Sequence, residues 1–561
     1  MKLISIPRTW RHLRRYNQVI RILLKYGFSD VVDAASKDLI LRFGEKFIPR
    51  LKSDKKEGRP SAERLRNAIE ELGPTFIKMG QILSMRPDVI PPDIAYEFQK
   101  LQDEVTPISF EEIEKVLRDE LKNDPYEIFA EISRESMAAA SIAQVHRGKL
   151  KDGKDIVLKI QRPGVRAIID VDIEILGDLA RVLGKYFQNK INQDPVAILG
   201  EFDKSIHREL DFLQEGRNIA RFKLNFDADS TIFIPQYYPE YSTSNLLVMD
   251  YVDGIKASDI EMLEEAGLDR QIIAKRGTHL SFRQIFEFGF FHADPHSGNI
   301  MVLPENVIAP LDYGMVGQID EMTIDHIGDL IVGVIRKDIH RIIRAFEHLG
   351  IVDYTVDIDA LKMDIADIIE KYYGVPLKEL ELRILMNDFF KLIQSYHLVL
   401  PPRLSLALKA LLTAEGLGRL LYPEFDAVSE LRPYLRKIIM RRYDPRRKFR
   451  EGIILFDDLS LLAEELPKKA RIIMNKAASG KFAIQFEHRN LERLVDELGK
   501  SSNRLSAALI ISALIIGSSF VIQASIAPKL FGYPLIGIIG FLLASVLGLK
   551  LIWDIFRNRN S

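Results

Sequence analysis

The densest chemistry in the chain is His292-Ala293-Asp294-Pro295-His296-Ser297-Gly298-Asn299, followed by a second acid in Leu311-Asp312-Tyr313-Gly314. Asp294 and Asn299 are separated by four residues. Two short apolar runs, Ile300 to Leu303 and Val307 to Leu311, precede Asp312. A carboxylate to handle the acceptor proton, then an amide and another carboxylate to hold magnesium, is the order of parts in a kinase-type loop. Phosphoryl transfer needs these groups because its transition state is stabilised mostly by positioning and divalent cations. The bland reading is a polar loop with satisfied Asp-Pro and Ser-Gly turns. Three matching positions joined by strand-like spacers of the right length favour the chemistry.

Such a loop works with a strand lysine for the α- and β-phosphates and a helix glutamate to orient it. Asp155 to Gln161 reads as a strand, entered through the hairpin turn Asp152-Gly153 and ended by Pro163-Gly164. Lys159 sits there among Val157, Leu158 and Ile160. Alone it would be an outward-facing lysine, and the downstream Asp294, Asn299 and Asp312 reverse that. Strand-like periodicity begins near Ser133, and Ala138-Ala139-Ala140-Ser141 lies before a second strand, Ile142 to Leu150. Pro195 to Phe226 reads as one long helix with three acids. On it Asp211 and Glu215 share a face while Glu209 points about 200° from Asp211. One of these acids is expected to meet Lys159. Thr231 to Pro235 and Asn245 to Asp250 read as further strands. Met249 to Gly254 reads as a hinge between lobes, so Met249 and Tyr251 are candidate nucleotide contacts.

Upstream, residues 1–29 carry seven cations and no acid, interleaved with Trp10, Leu13, Val19, Ile20, Leu23 and Leu24. This is a basic amphipathic helix, suited either to anionic lipid or to packing on the domain. A polar linker, Asp54 to Pro60, precedes a helix from Ala62 to Leu72. Gly73-Pro74 starts the next helix, Pro74 to Met85, ended by Pro87, Pro91 and Pro92. Lys78 and Gln81 share a face of it. Gly80 between them costs about 1 kcal/mol against alanine, which suggests close backbone approach. Residues 93–130 read as helical. Helix patterns return from Ala257 to Phe291 and from Thr323 to about Tyr443. The basic run Arg441 to Lys448 is a linker or a lipid-facing patch, and 450–500 read as charged helix.

With 561 residues the chain exceeds one core and implies two or more domains. Its formal charge of −1 gives no bulk argument for nucleic acid. It has no cysteine, which excludes disulfides, thiolate metal sites and a cysteine nucleophile. The basic start, with the first long apolar run at the far C-terminus, argues against a secretory signal. Leu505 to Pro528 and Leu530 to Leu549 contain no charged residue. Each is long enough, or nearly so, to cross about 30 Å of hydrocarbon. Ala513/Gly517 and Gly540/Ala544/Gly548 put small residues four apart, as close helix packing in lipid requires. Lys500 and Arg504 before, and Lys550, Arg557 and Arg559 after, predict that both ends and the catalytic body are cytoplasmic.

Taken together, these residues resemble the UbiB family of atypical kinases, also called the ADCK family, from about Leu72 to Gly317 by motif. Lys78-Met79-Gly80-Gln81 looks like its KxGQ motif, and Ala138 to Ser141 like its alanine-rich loop, which replaces the kinase glycine-rich loop. Glu209-Leu210-Asp211 looks like its ExD motif, leaving Glu215 as the partner for Lys159. The resemblance implies a two-lobed kinase-like fold whose KxGQ helices cover the place of a protein substrate. It implies ATP and magnesium as ligands, and a link to biosynthesis of ubiquinone and related isoprenoid quinones. Expected partners are a membrane lipid or quinone-precursor lipid, quinone-biosynthesis enzymes and a second copy of the chain. Departures from ordinary protein kinases are visible. Ala293 replaces the usual arginine, Ala138 to Ala140 replace glycines, and helix begins too soon after Gly314 for a long activation segment.

The expected architecture is α+β and bilobal. Its segments are a basic N-terminal stretch 1–59, helical extension 60–130, N-lobe 131–251, C-lobe 252–440, charged linker 441–503 and two transmembrane helices 504–556. The expected roles are Asp294 at the acceptor, Lys159 on the phosphates with Glu215 orienting it, and Asn299 and Asp312 on the metal. Lys78, Gln81, Glu209 and Asp211 would gate the site. A nucleotide-sensing membrane scaffold is the alternative of another class. A small-molecule phosphotransferase shares the Asp-to-Asn spacing, but the KxGQ stretch and alanine loop count against it. A flavin or di-iron hydroxylase lacks its fingerprints here.

Overall fold

The computed structural model describes residues 6–28, 61–442 and 491–557, apart from 85, 87–88, 102–104, 187–193, 353–355, 373–381, 525–526 and 531–532, with isolated positions between 460 and 478. The polar linker 54–60, most of the basic run and most of 450–500 lie outside the described residues. The chain divides into two compact units, Met1–Arg450 and Glu451–Ser561.

In the first unit, strands β1 (Phe129–Ala139), β2 (Ala143–Leu150), β3 (Asp155–Gln161) and β4 (Leu246–Asp250) form an antiparallel sheet in sequence order. Gly153 supplies the positive φ (+90°) of the β2–β3 turn. Alternation then sorts β3. Ile156, Leu158 and Ile160 pack with Leu246 and Val248 under the Phe110–Leu121 helix. Val157 joins Leu247, Met249, Ile219 and Phe222 on the other side. Lys159 has the parity of Val157, so the pleat sends it toward the Phe212–Phe226 helix.

Several expectations are corrected. Residues 93–130 are not one helical region: helices Pro92–Phe98, Phe110–Leu121 and Pro125–Ile128 are separated, and β1 begins at Phe129, ahead of Ser133. Thr231 to Pro235 is not a strand. It meets the C-lobe at one parallel bridge, Ile232 to Ile308, and Pro235 has no N–H with which to extend a ladder. The helix expected to reach Phe291 ends at Phe286, where Gly289 turns with φ +59° and Phe290–His292 becomes a strand.

The long helix 195–226 is two helices, Pro195–Glu209 and Phe212–Phe226. Asp211 breaks it. Its side chain accepts from the Leu213 N–H at 3.2 Å and caps the second helix. Asp211→Ala should cost about 1 kcal/mol of stability in urea unfolding.

In the C-lobe, β5 (Ile255–Lys256), β7 (Ile300–Leu303) and β8 (Val307–Pro310) form one small sheet, and β6 (Phe290–His292) pairs with β9 (Val316–Gln318). Behind them the Arg270–Phe286 and Pro402–Leu421 helices pack together. The N-terminal Ile6–Lys25 helix buries Val19, Ile20 and Ile22, two of them in a cluster with Ala68, Leu72 and Phe76. Arg15 pairs at 2.7 Å with the buried Asp172, which also accepts from the Thr75 hydroxyl at 2.7 Å. The second half of this helix therefore packs on protein.

In the second unit, helices Leu491–Gln523 and Leu535–Arg557 form a hairpin across the β10 (Lys529–Leu530) and β11 (Tyr533–Pro534) turn. Ser501–Gln523 and Leu535–Ile552 are long and apolar enough to cross a membrane. Their contact is made by Gly537 and Gly540, where a Cβ would lie 2.5 Å from Ile522 and 2.2 Å from Ser518. Ala544 is buried there too, whereas Gly517 and Gly548 face open space. The small-residue stripes thus serve the hairpin only in part.

Candidate active site

Lys159 Nζ donates to both Glu215 oxygens, each at 2.8 Å. Glu215 lies in the first turn of the helix that Asp211 caps, so the break at Leu210-Asp211 is what aims it at β3. Asp312 Oδ1 stands 3.6 Å from the same ammonium and accepts from the Gly314 N–H at 3.0 Å. Burial works against the lysine charge, yet Glu215 and then Asp312 outweigh it and hold the Lys159 pKa above the usual lysine range. Partial burial likewise opposes the Asp312 carboxylate, and Lys159, His292 and the Gly314 N–H together outweigh it, holding the pKa below the ordinary carboxylate range.

Gly314 shows how tightly the acids converge. A Cβ there would lie 3.3 Å from Asp312 Oδ1, 3.7 Å from Glu215 Oε2 and 3.9 Å from Glu209 Cγ. The segment is fixed by Tyr313, fully buried, whose hydroxyl donates to the Pro310 carbonyl at 2.8 Å. Its own carbonyl accepts from Asn218 at 2.9 Å. The β7–β8 hairpin pairs Ile300 with Pro310, so the Leu311 N–H reaches the Asn299 carbonyl at 2.9 Å. The apolar spacers in the sequence are these two strands, and their register sets Asn299 beside the segment carrying Asp312.

Asp294 is oriented by its own loop. Its N–H donates to His292 Nδ1 at 3.0 Å, which puts the ring proton on Nε2. Burial pushes the His292 pKa down and keeps the ring neutral near pH 7. The Asp294 carboxylate pairs with Lys409 Nζ at 2.9 Å. Sequence reasoning missed Lys409. Its signal was a lone lysine within an otherwise apolar helical run, Leu406 to Leu412.

Of the gating residues, Lys78 reaches Glu209 at 2.6 Å and lies near enough to Asp312 to lower its pKa. Asp211 is used as the cap and faces Arg217 at 3.6 Å. Gln81 donates to the Leu101 carbonyl at 3.2 Å. Gly80 answers to the same packing: a Cβ would meet Leu101 Cδ1 at 2.4 Å. Ala138 and Ala139 are strand residues, paired with Val145 and Gln144. The Ala140 carbonyl accepts from Arg162 Nε at 2.9 Å, so this stretch is held rather than loose. Met249 packs in the core, and Tyr251 lies under the Arg147 guanidinium at 4.2 Å.

Magnesium takes one or two carboxylates and fills its shell with phosphate oxygens and water. Asn299 and Asp312 suit that chemistry. Among the described residues, no group of three or more His, Cys, Asp or Glu forms a metal cluster. The Ser141 hydroxyl, at the β1–β2 turn, is buried without a hydrogen-bond partner.

The ABC1 atypical kinase-like domain matches residues 100–346, the UbiB helical domain 365–426 and the ABC1/UbiB kinase-like C-terminal domain 489–557. An uncharacterized protein in the hydrogenase 1 5′ region of Clostridium pasteurianum is 33% identical, covering 97% of this chain and 99% of that protein. A probable protein kinase UbiB of Cellvibrio japonicus is 32% identical over 88% of this chain and 87% of its own. One from Vibrio parahaemolyticus is 30% identical over 93% and 97%. The chain belongs to the UbiB family of atypical kinases. Its first unit holds the kinase-like fold of that family together with the helices N-terminal to it, and its second holds the pair of apolar helices. In this UbiB-type chain Asp312, Glu215 and Glu209 converge on Gly314, with Lys78 paired to Glu209 and Lys409 to Asp294.

Proposed function

We propose that the protein is a membrane-anchored atypical kinase or ATPase that uses magnesium-ATP to support biosynthesis of ubiquinone or a related isoprenoid lipid. The observation that carries this reading is Lys159 held by both oxygens of Glu215 and standing 3.6 Å from Asp312. A phosphate-binding lysine, its orienting acid and a metal-binding acid meet at one point. Lys159 binds the α- and β-phosphates. Asn299 and Asp312 would hold magnesium, which supplies neutralisation of phosphate charge when bound. Asp294, with its backbone fixed by His292, orients the acceptor hydroxyl or water and takes its proton. Ala138 to Ser141, Met249 and Tyr251 border the nucleotide.

Three features argue against an ordinary protein kinase. Ala293 leaves the catalytic loop without the arginine that reads a phosphorylated activation segment. Only Asp320 and its neighbour separate β9 from the Glu321–Arg336 helix. Lys78 from the KxGQ helix occupies Glu209. The apolar hairpin supports membrane anchoring, and its flanking cations favour a cytoplasmic catalytic body. That location suits a quinone-precursor lipid as the molecule served, with quinone-biosynthesis enzymes and a second copy of the chain as partners.

The test is ATP hydrolysis by purified protein with magnesium, with and without liposomes and a phenolic quinone-precursor mimic. Lipid-stimulated turnover, with magnesium-dependent nucleotide binding lost in Asp312→Asn, is the expected result. Unchanged binding in that variant would sink the proposal. Tight nucleotide binding without turnover under every condition would instead favour a nucleotide-sensing scaffold.

A further inference from the structure

The roles above leave Lys409 unassigned. It sits on the Pro402–Leu421 helix, whose Leu404, Ala407, Ala410 and Ala414 are buried, and this helix packs against the Arg270–Phe286 helix. The ammonium is therefore carried by a rigid element of the C-lobe rather than by a loop. It is mostly buried, and its nitrogen lies 2.9 Å from Asp294 Oδ1. A base must come within about 3 Å of the oxygen it deprotonates. An ammonium on one oxygen of that carboxylate thus lies within roughly 6–8 Å of an acceptor held by either oxygen, on the side of the site to which the phosphoryl group moves. The catalytic loop itself, His292 to Asn299, contains no lysine or arginine. Lys159, held by Glu215, is assigned to the α- and β-phosphates and Lys78 pairs with Glu209, whereas Lys409 is, among the described residues, the lysine paired with Asp294 itself.

We propose that Lys409 is a catalytic residue that moves from Asp294 to a non-bridging oxygen of the γ-phosphate and stabilises the phosphoryl group in flight. The inference rests on the ATP-using reading above. In the step, the bond from the γ-phosphorus to the β–γ bridging oxygen breaks and its electron pair leaves with ADP. A bond forms from the acceptor oxygen to phosphorus, and the acceptor proton passes to the Asp294 carboxylate. Lys409 stays protonated throughout. The same movement frees Asp294 only when a nucleotide is present, so the resting pair restrains the base until there is phosphate to draw the lysine away. Burial lowers the Lys409 pKa, Asp294 raises it and Lys78 lowers it further.

The experiment is steady-state magnesium-ATP turnover by the full chain in detergent or liposomes, with wild type, Lys409→Gln, Lys409→Arg and Asp312→Asn compared. Glutamine keeps a hydrogen bond to Asp294 without the charge. Lys409→Gln should lose about 10²- to 10³-fold in kcat, the effect of removing one transition-state contact, with KM for ATP and melting temperature nearly unchanged. Lys409→Arg should recover at least about tenfold of that loss. Turnover kept within about threefold in Lys409→Gln, or lost together with nucleotide affinity and melting temperature, overturns the proposal. If Lys409→Gln does not fold, Lys409→Arg decides. A folded arginine variant more than about 100-fold slower overturns the assignment, and one within about tenfold supports it. Wild-type turnover that is lost in Asp312→Asn but kept in Lys409→Gln overturns this inference alone. Absence of turnover in the wild type overturns it together with the ATP-using reading.

Discussion

Glu215→Ala should destabilise the kinase body by about 3–5 kcal/mol, the effect of removing one partner of a buried ion pair. Glu215 is 3% exposed and holds Lys159 with both oxygens. Without it the ammonium keeps Asp312, at 3.6 Å and on a side chain 45% exposed, with Glu209 and the Phe212 ring as weaker neighbours. Lys159 should then lean toward Asp312 and pull that carboxylate off the metal, so magnesium-dependent nucleotide binding falls along with stability. Urea unfolding and nucleotide titration read the two effects separately. Lys159→Met combined with Glu215→Leu should recover most of the stability, because an apolar pair carries no unpaired charge, yet should not recover binding. A double variant as unstable as Glu215→Ala would show that the pair's worth lies in shape rather than charge.

The same cluster sets an acid limit. Asp312 is held below the ordinary carboxylate range. A group whose folded pKa is depressed contributes stability that is complete above the unfolded value, about 3.9, and is lost as pH falls toward the folded value. His292 adds to this from higher pH. Burial depresses its pKa, so below about 6.5 the unfolded chain takes up the proton more readily and stability declines.

How much of this was legible in the sequence follows from what kind of constraint each residue obeys. The β7–β8 hairpin between Asn299 and Asp312 could be read because two apolar runs and a polar turn are local signals. The Lys159 strand could be read because its turn and its terminating Pro163-Gly164 are local too. The division of 195–226 was not seen, although Asp211 is an ordinary capping residue. Helix periodicity runs through it on both sides, and an aspartate in mid-helix is equally compatible with an exposed face. That one error hid how Glu209 and Glu215 come to flank the same glycine, since on a continuous helix they would diverge. Gln81 shares a helix face with Lys78, and its gating role is what the KxGQ resemblance implies. The face is wide enough that one turns to Glu209 and the other to the Leu101 carbonyl. Lys409 depended on the packing of a helix more than 100 residues downstream of the loop it serves, and tertiary contacts of that kind leave only an isolated charge in an apolar run as their trace.

Asp294→Asn should lower kcat by about 10²- to 10⁴-fold, the range for loss of a general base, while nucleotide affinity holds or tightens. Asparagine preserves the shape and the His292 contact to the backbone N–H but takes up no proton. It also leaves Lys409 without its anion. In the wild type that ammonium is paired with Asp294 at 2.9 Å and must be drawn away by phosphate. In the variant it has no carboxylate to leave, so binding ATP no longer breaks an ion pair. The outcome is opposite to that for Asp312→Asn, where binding itself should fail. Binding and single-turnover measurements on the two variants therefore separate the acid that holds the metal from the acid that handles the proton. Under the scaffold alternative, Asp294→Asn would leave cellular function intact, because nucleotide occupancy is preserved. Loss of lipid-linked function in cells alongside tight nucleotide binding in vitro would assign the physiological role to turnover.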